Sequence, residues 1–382
     1  MNEETLLKET LRGWSEQARV PDDLAERALA RRRRRFRPLL TAVAAAAALV
    51  TAIVVPGVIR PVAGPAGLDT VASPAPTDIR TDTRTDPPAR LIAAKRVALS
   101  AYYLEVPGRP GRRWHVYNPV SGRYERTDWA WVDVAPGLRT AAVLERGLPV
   151  RRVGLVDLAT SNKVSRWIEL PEPAGAVVWS PDGARLLVTT YSRDPDARLP
   201  VDAGRTGYAF VDVATGEVDF HPLTAGDHDS AEGMTSRRDF GWSDDGALIW
   251  EPQITRPGRV FYDQEGNRQP TPPGWVNTVQ AAGVSPDGRL IANGTAPDEP
   301  HGDAFLTDLR TGRVVSRLPA LELLAWADDD HLVVSTCQKS CKLGGDLAYY
   351  LMSVDGGEKV RLSADRQVTS QGEIWYPLFT LR

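Results

Sequence analysis

Trp179-Ser180-Pro181-Asp182-Gly183 interrupts an apolar run and releases the chain into another, Leu186-Leu187-Val188. Proline presets φ at the second turn position, Asp and Gly carry the bend, and the flanking apolar residues make the two arms of a hairpin. The same five-residue turn returns as Trp242-Ser243-Asp244-Asp245-Gly246 and Val284-Ser285-Pro286-Asp287-Gly288, and in worn form as Trp326-Ala327-Asp328-Asp329-Asp330. A second turn, D-x-x-T-G, alternates with it. Asp212 to Gly216 and Asp308 to Gly312 are clean copies; Asp157 to Thr160, Asn118 to Gly122, Asp263 to Asn267 and Ser353 to Gly357 are degenerate ones. Each repeat therefore reads as strand a, first turn, strand b, loop, strand c, second turn, strand d.

The turns at 242, 284 and 326 are 42 residues apart, within the range of about 40–45 expected for one four-stranded propeller blade. A weaker copy, Val134-Ala135-Pro136-Gly137, lies 45 residues before Trp179. Six second turns but five first turns leave the first unit without its strand a. Ile374 to Phe379 can supply it and close the ring, which removes exposed sheet edges. The spacing predicts an all-β, six-bladed β-propeller over residues 91–382; seven blades would require Leu91 to Ala94 to open another.

With these motifs in hand, residues 91–382 resemble the TolB-like and WD40-like β-propellers of bacterial envelopes, whose hallmark is an S-P-D-G turn, an aliphatic strand and a D-x-x-T-G turn. The resemblance implies the fold and an envelope setting. It says little about activity, because propellers host binding modules, scaffolds, hydrolases and lyases alike.

In front of the repeats, Pro38 to Ile59 gives 22 residues without a charge, enough to span a bilayer core of about 30 Å as one transmembrane helix. Arg31 to Arg35 and Arg37 precede it and only Arg60 follows closely, so the positive-inside bias puts residues 1–37 in the cytoplasm and the propeller outside. A cleaved signal peptide is the alternative, but 37 residues are too long an n-region. Residues 60–90, rich in Pro, Thr and Asp, read as an extended solvated linker. The cytoplasmic segment shows helical spacing at Leu7, Leu11 and Trp14, an apolar face that suits docking into a partner's groove. It resembles tails that precede the membrane segment in actinobacterial regulators holding a sigma factor, although the zinc-binding His/Cys motif of many such domains is absent.

The chain has 46 basic and 49 acidic residues for a net charge of −3, with no nucleic-acid footprint; the arginine run suits anionic lipid headgroups. Abundant Pro, Gly, Ala and Arg with few Lys point to a GC-rich actinobacterial source. Cys337 and Cys341 are the two cysteines. Outside the membrane such a pair is expected to close a structural disulfide loop; zinc would need more ligands, and free thiols are the other alternative.

In a four-stranded blade the a–b and c–d turns share one face of the disc, and the b–c and d–a connections share the other. The long insertions all belong to the second set, which makes it the expected binding face for an envelope protein or small ligand. Its two longest connections carry Arg193, Asp194, Asp196 and Arg198 on one and Asp227, His228, Asp229, Arg237 and Arg238 on the next. No G-x-S-x-G, H-E-x-x-H or P-loop occurs, so no catalytic residue is assigned. No cofactor motif is present; calcium in the channel would need Glu, Asn and Asp converging from several blades, and no pattern supports it. The readings in order are a membrane-anchored binding or scaffold propeller, a transmembrane regulator signalling through residues 1–37, and a metal-dependent propeller hydrolase.

Overall fold

The computed structural model describes residues 76–105, 111–197, 204–223, 237–252, 259–271, 278–294, 304–337, 346–367 and 374–382. Leu7, Leu11, Trp14, the apolar span 38–59, Arg198, Asp227, His228, Asp229 and Cys341 lie outside them. The chain divides into two compact units, Met1–Asp69 and Thr70–Arg382, and every described residue belongs to the second. Among the described residues no helix is long and apolar enough to cross a membrane.

The repeat turn is rigid for a reason visible in its bonds. Ser180 Oγ donates to Asp182 Oδ1 at 2.5 Å and accepts from the Arg185 N–H at 2.9 Å, while Asp182 also accepts from the Ala184 N–H at 3.0 Å. Ser243 with Asp245, and Ser285 with Asp287, repeat this set. The serine and aspartate thus satisfy the amides that a tight bend leaves open. In the second turn Asp212 and Asp308 each accept from a threonine N–H and its hydroxyl. Ser353-Val354-Asp355-Gly356, expected as a degenerate second turn, instead makes the bonds of the first: Glu358 N–H donates to Ser353 Oγ and Gly357 N–H to Asp355.

The strands are β1 (Ile79–Arg80), β2 (Ala93–Ala94), β3 (Val97–Glu105), β4 (Arg113–Asn118), β5 (Arg123–Arg126), β6 (Trp131–Val134), β7 (Thr140–Leu144), β8 (Val150–Asp157), β9 (Lys163–Trp179), β10 (Arg185–Tyr191), β11 (Arg205–Asp212), β12 (Val218–Pro222) and β13 (Gly241–Trp242). They continue as β14 (Ile249–Pro252), β15 (Arg259–Tyr262), β16 (Arg268–Gln269), β17 (Thr278–Val284), β18 (Leu290–Gly294), β19 (Ala304–Asp308), β20 (Val314–Leu318), β21 (Glu322–Trp326), β22 (His331–Cys337), β23 (Asp346–Ser353), β24 (Lys359–Arg361), β25 (Arg366–Gln367) and β26 (Ile374–Leu381). Neighbours pair antiparallel, giving an all-β, propeller-like ring of four-stranded blades.

Hydrogen bonding gathers the strands into five sheets of 6, 7, 4, 4 and 5 strands, not the six separate sheets that the turn count predicts. The difference arises at β9, which serves as an outer strand against β8 and, after Ala174, as an inner strand against β10, so two repeats share one continuous sheet. The last strand does supply the missing strand a. β26 pairs with β3 from Ile374 opposite Glu105 to Leu381 opposite Val97, and Ser100 Oγ meets Thr380 Oγ1 at 2.7 Å inside the seam.

Apolar clusters bind each repeat to the next. Leu144, Ile168, Val177 and Leu186 make one; Phe210, Phe240 and Ile249 another; Leu306, Leu323 and Val334 a third. Leu99, Tyr102, Leu351 and Trp375 pack the last repeat against the first. The repeat tryptophans tie the same joints. Trp179 Nε1 donates back to Asp133 O at 3.2 Å, Trp242 Nε1 to Val178 O at 3.4 Å, and Trp326 Nε1 to Gly283 O at 3.2 Å.

Residues 76–90, expected as solvated linker, are fastened to this seam. β1 pairs with β2, and the Asp82 N–H donates to Leu362 O at 2.9 Å. The buried Asp82 carboxylate accepts from the Thr85 hydroxyl and from the Ala89 and Arg90 N–H groups. A Pro- and Thr-rich segment without apolar periodicity is ordered here by polar satisfaction, which hydrophobic patterning does not register.

Candidate functional site

At the end of the ring that carries the b–c and d–a connections, charged side chains assemble on aromatic rings. Arg112 immediately precedes β4, Trp131 opens β6, Asp196 follows β10, and Arg237 and Asp239 lead into β13. Asp196 Oδ1 accepts from Arg112 Nη1 at 3.0 Å and from Arg237 Nε at 2.9 Å. Arg237 Nη1 also donates to Gly175 O at 2.8 Å and to both oxygens of Asp239 at 3.1 and 3.2 Å. The Tyr191 hydroxyl donates to Asp239 Oδ1 at 2.9 Å and accepts from the Arg238 N–H.

Both guanidiniums lie over Trp131, Arg237 at 4.4 Å and Arg112 at 5.0 Å from the ring centre; Arg112 also covers Tyr103 at 4.9 Å. Tyr103 in turn stacks on Tyr376, which remains partly exposed. The neighbouring Asp239 and Asp196 carboxylates more than offset the cost of burying Arg237, so its guanidinium holds its proton more tightly than usual.

Asp196 and Arg237 thus meet across two connections that are far apart in sequence. Arg238 points elsewhere: Arg205 donates to its carbonyl at 2.9 Å, and its own Nη2 donates to Pro252 O. Arg193 and Asp194 are exposed, with Asp194 accepting from the Asp196 N–H at 2.9 Å. Cys337 closes β22 and is disulfide-bonded. Sequence reasoning missed Arg112, Trp131 and Tyr376; the aromatic residues sit at strand starts with no motif around them.

The other end of the axis holds a cavity of about 580 Å3. It is lined by the first turns of β13–β14 and β17–β18, by β21, and by Arg96 and Phe379 at the seam. Asp244 takes the place that proline holds in the Trp179 and Val284 turns, and its Oδ2 accepts from the Val284 N–H of the next repeat at 2.7 Å. Asp244 is exposed to the cavity, yet desolvation by the surrounding protein pushes its carboxyl up to about 6 against the pull of that N–H and of the Arg259 charge. Burial pushes Asp133 up to about 7, again against an N–H bond, from Trp179 at 2.7 Å. The departure from the repeat at Asp244 was the legible signal. Among the described residues no group of three or more His, Cys, Asp or Glu side chains is placed to hold a metal ion.

The strand pairing defines the class as a β-propeller. No family model matches the chain, and no curated protein matches it. Among solved structures it is similar to TolB from Acinetobacter baumannii, with 18% identity and a TM-score of 0.41 over 72% of this chain and 65% of that one. It is similar also to Kuenenia stuttgartiensis hydrazine synthase, with 14% identity and a TM-score of 0.39 over 64% of this chain and 69% of that one. The chain therefore spans a little under two thirds of that TolB chain.

Proposed function

We propose that the protein is a single-pass membrane protein whose propeller is an extracytoplasmic binding module for an envelope protein, engaged through the end that carries the b–c and d–a connections. The propeller has six blades in this reading, because the seven-stranded sheet counts as two units sharing β9 and the β26–β3 pair completes the first. Pro38 to Ile59 is the anchor and residues 1–37 are cytoplasmic. The observation that carries the reading is the assembly of Arg112, Arg237, Trp131, Tyr103 and Tyr376 on one end of the ring. Arginine, tryptophan and tyrosine are the residues that dominate binding energy at protein interfaces, and the Asp196 ion pairs hold the two arginines in place before any partner arrives.

The test is crosslinking and affinity purification of the full-length protein from its native membrane, beside a Tyr376→Ala/Arg193→Glu variant and a form lacking residues 1–37. Loss of an envelope partner in the double variant, with retention in the truncated form, is expected. An unchanged set of partners in the double variant would overturn the reading.

A second reading makes the propeller a sensor and residues 1–37, with Leu7, Leu11 and Trp14, the effector-docking peptide. It is favoured by the fastening of residues 76–90 to the ring seam, which ties the segment following the anchor to the propeller. A cytoplasmic partner lost only on truncation is its signature.

A further inference from the structure

The run of stacked side chains at the end that carries the b–c and d–a connections stops at Tyr376. Resting on the reading that this end engages an envelope protein, we propose that the partner docks an arginine side chain there, its guanidinium against the exposed part of the Tyr376 ring and paired with the carboxylates of Glu105 and Glu322. Tyr376 is 36% exposed and lies 5.0 Å from Tyr103, with 21° between the ring planes. Tyr103, Trp131 and Trp375 each have a guanidinium over the ring. Among the described residues no cation lies over Tyr376.

Strand register places the first carboxylate. Tyr376 pairs with Tyr103 and Ile374 with Glu105 across β26 and β3, and residues two apart on a strand share a face, so Glu105 stands beside the two stacked rings. Its side chain is 44% exposed, and among the described residues its one charged contact is Arg112 Nε at 3.6 Å. Glu322 opens β21 and is exposed; it accepts from the Ser335 hydroxyl at 3.0 Å. Burial raises the Tyr376 hydroxyl, and the Glu105 and Glu322 charges raise it further against those of Arg366 and Arg112, which sets both carboxylates within electrostatic reach of the ring.

The cations already present are committed elsewhere. Arg112 and Arg237 share Asp196, and Arg237 also pairs with Asp239. Arg366 lies over Trp375 and donates to its carbonyl oxygen. Two carboxylates beside an exposed tyrosine ring are thus left without a cation at hydrogen-bond distance. The face of an aromatic ring attracts a cation. A flat guanidinium stacks on such a face while its N–H groups fork towards carboxylates, whereas an ammonium is a point charge with no plane to stack. A neutral or acidic side chain gains nothing from Glu105 and Glu322, so arginine is the occupant that fits.

The experiment selects a random peptide library displayed on phage against the full-length protein in nanodiscs, after depletion on empty nanodiscs, and keeps the peptides that bind the wild type but not Tyr376→Leu. These peptides are expected to share an arginine. Resynthesised with citrulline, its neutral isostere, they should bind about five-fold or more weakly by fluorescence polarisation, the scale of an exposed cation–π contact joined by an ion pair; lysine in its place should be intermediate. Glu105→Gln/Glu322→Gln should narrow the gap between the arginine and citrulline peptides. Full affinity with citrulline, or a selection that yields no Tyr376-dependent peptide, would overturn the proposal. The citrulline comparison is made on the unaltered protein and decides even where a variant does not fold. Since the library holds no native partner, an arginine requirement together with unchanged partners in the crosslinking experiment would overturn the envelope-partner reading and leave the arginine subsite standing.

Discussion

The indole Nε1 of Trp375 donates to Asp86 Oδ1 at 2.7 Å, so the strand that closes the ring is held by a residue in front of the first blade. Trp375 is 2% exposed, and without Asp86 its N–H would be buried and unpaired. Asp86→Ala should cost about 1–3 kcal/mol and lower the thermal midpoint by several degrees, followed by circular dichroism. The double variant Asp86→Ala/Trp375→Phe removes acceptor and donor together and should lose less through this bond. A melting curve unchanged in Asp86→Ala would show that residues 76–90 do not secure the seam.

Asp196 is shared by two arginines, and all three side chains are at most 15% exposed. Asp196→Ala leaves two enclosed guanidiniums short of an acceptor and should destabilise by about 2–3 kcal/mol, a figure reduced from the fully buried case for partial solvent access. Glu145→Ala removes the open pair with Arg152, where the side chains are 35% and 42% exposed, and should cost less than about 0.5 kcal/mol. Chemical denaturation of the two variants side by side measures the contrast; equal losses would contradict it.

Asp133 makes stability depend on pH in an unusual direction for a carboxylate. Its folded-state value of about 7 stands above the ordinary 3.8 because burial disfavours the charge. Between those values the folded protein retains a proton that the unfolded chain releases, so this group's contribution to stability falls as pH rises through that window and levels off above it. Asp133→Asn keeps an oxygen for the Trp179 N–H and cannot titrate. The variant should gain on the wild type steadily from pH 4 to pH 7, as read by urea midpoints; parallel profiles would refute the assignment.

Two glycines separate backbone strain from crowding. At Gly183, φ is +71° and the nearest atom to an added Cβ is Pro136 Cδ at 3.5 Å, so Gly183→Ala pays only for the left-handed backbone, about 1–2 kcal/mol. At Gly207 the added Cβ would meet the His221 carbonyl oxygen at 2.4 Å, and β11 must move away from β12. Gly207→Ala should cost about 2–3 kcal/mol. The order of the two thermal midpoints tests the difference.

The strand-turn pattern was open to reading because Ser180, Asp182 and Asp212 act on amides within five residues of themselves, and local chemistry leaves a local signature. The closing role of Ile374 to Phe379 was also legible, from a strand count that did not balance. Ser353 and Asp355 show the limit of the same logic: the motif is local, yet it serves either kind of turn. Nothing in Lys163–Trp179 announces that β9 passes unbroken from one repeat to the next, since both halves alternate as any strand does. At the sites, Asp196 and Arg237 were flagged by charge on long connections, whereas their pairing, and the presence of Arg112 and Trp131 beside them, depends on contacts between distant repeats. Arg96 and Asp244 line one cavity only because the ring brings separate repeats around it.

Ser100 and Thr380 touch although 280 residues separate them. The first blade is therefore completed only after the later ones, and the inner edge of β3 has no native partner until β26 has been made. An open strand edge invites any compatible strand, including β26 of another copy made nearby. The order of synthesis thus places the risk of strand exchange between molecules at this one edge, for as long as β26 has not reached it.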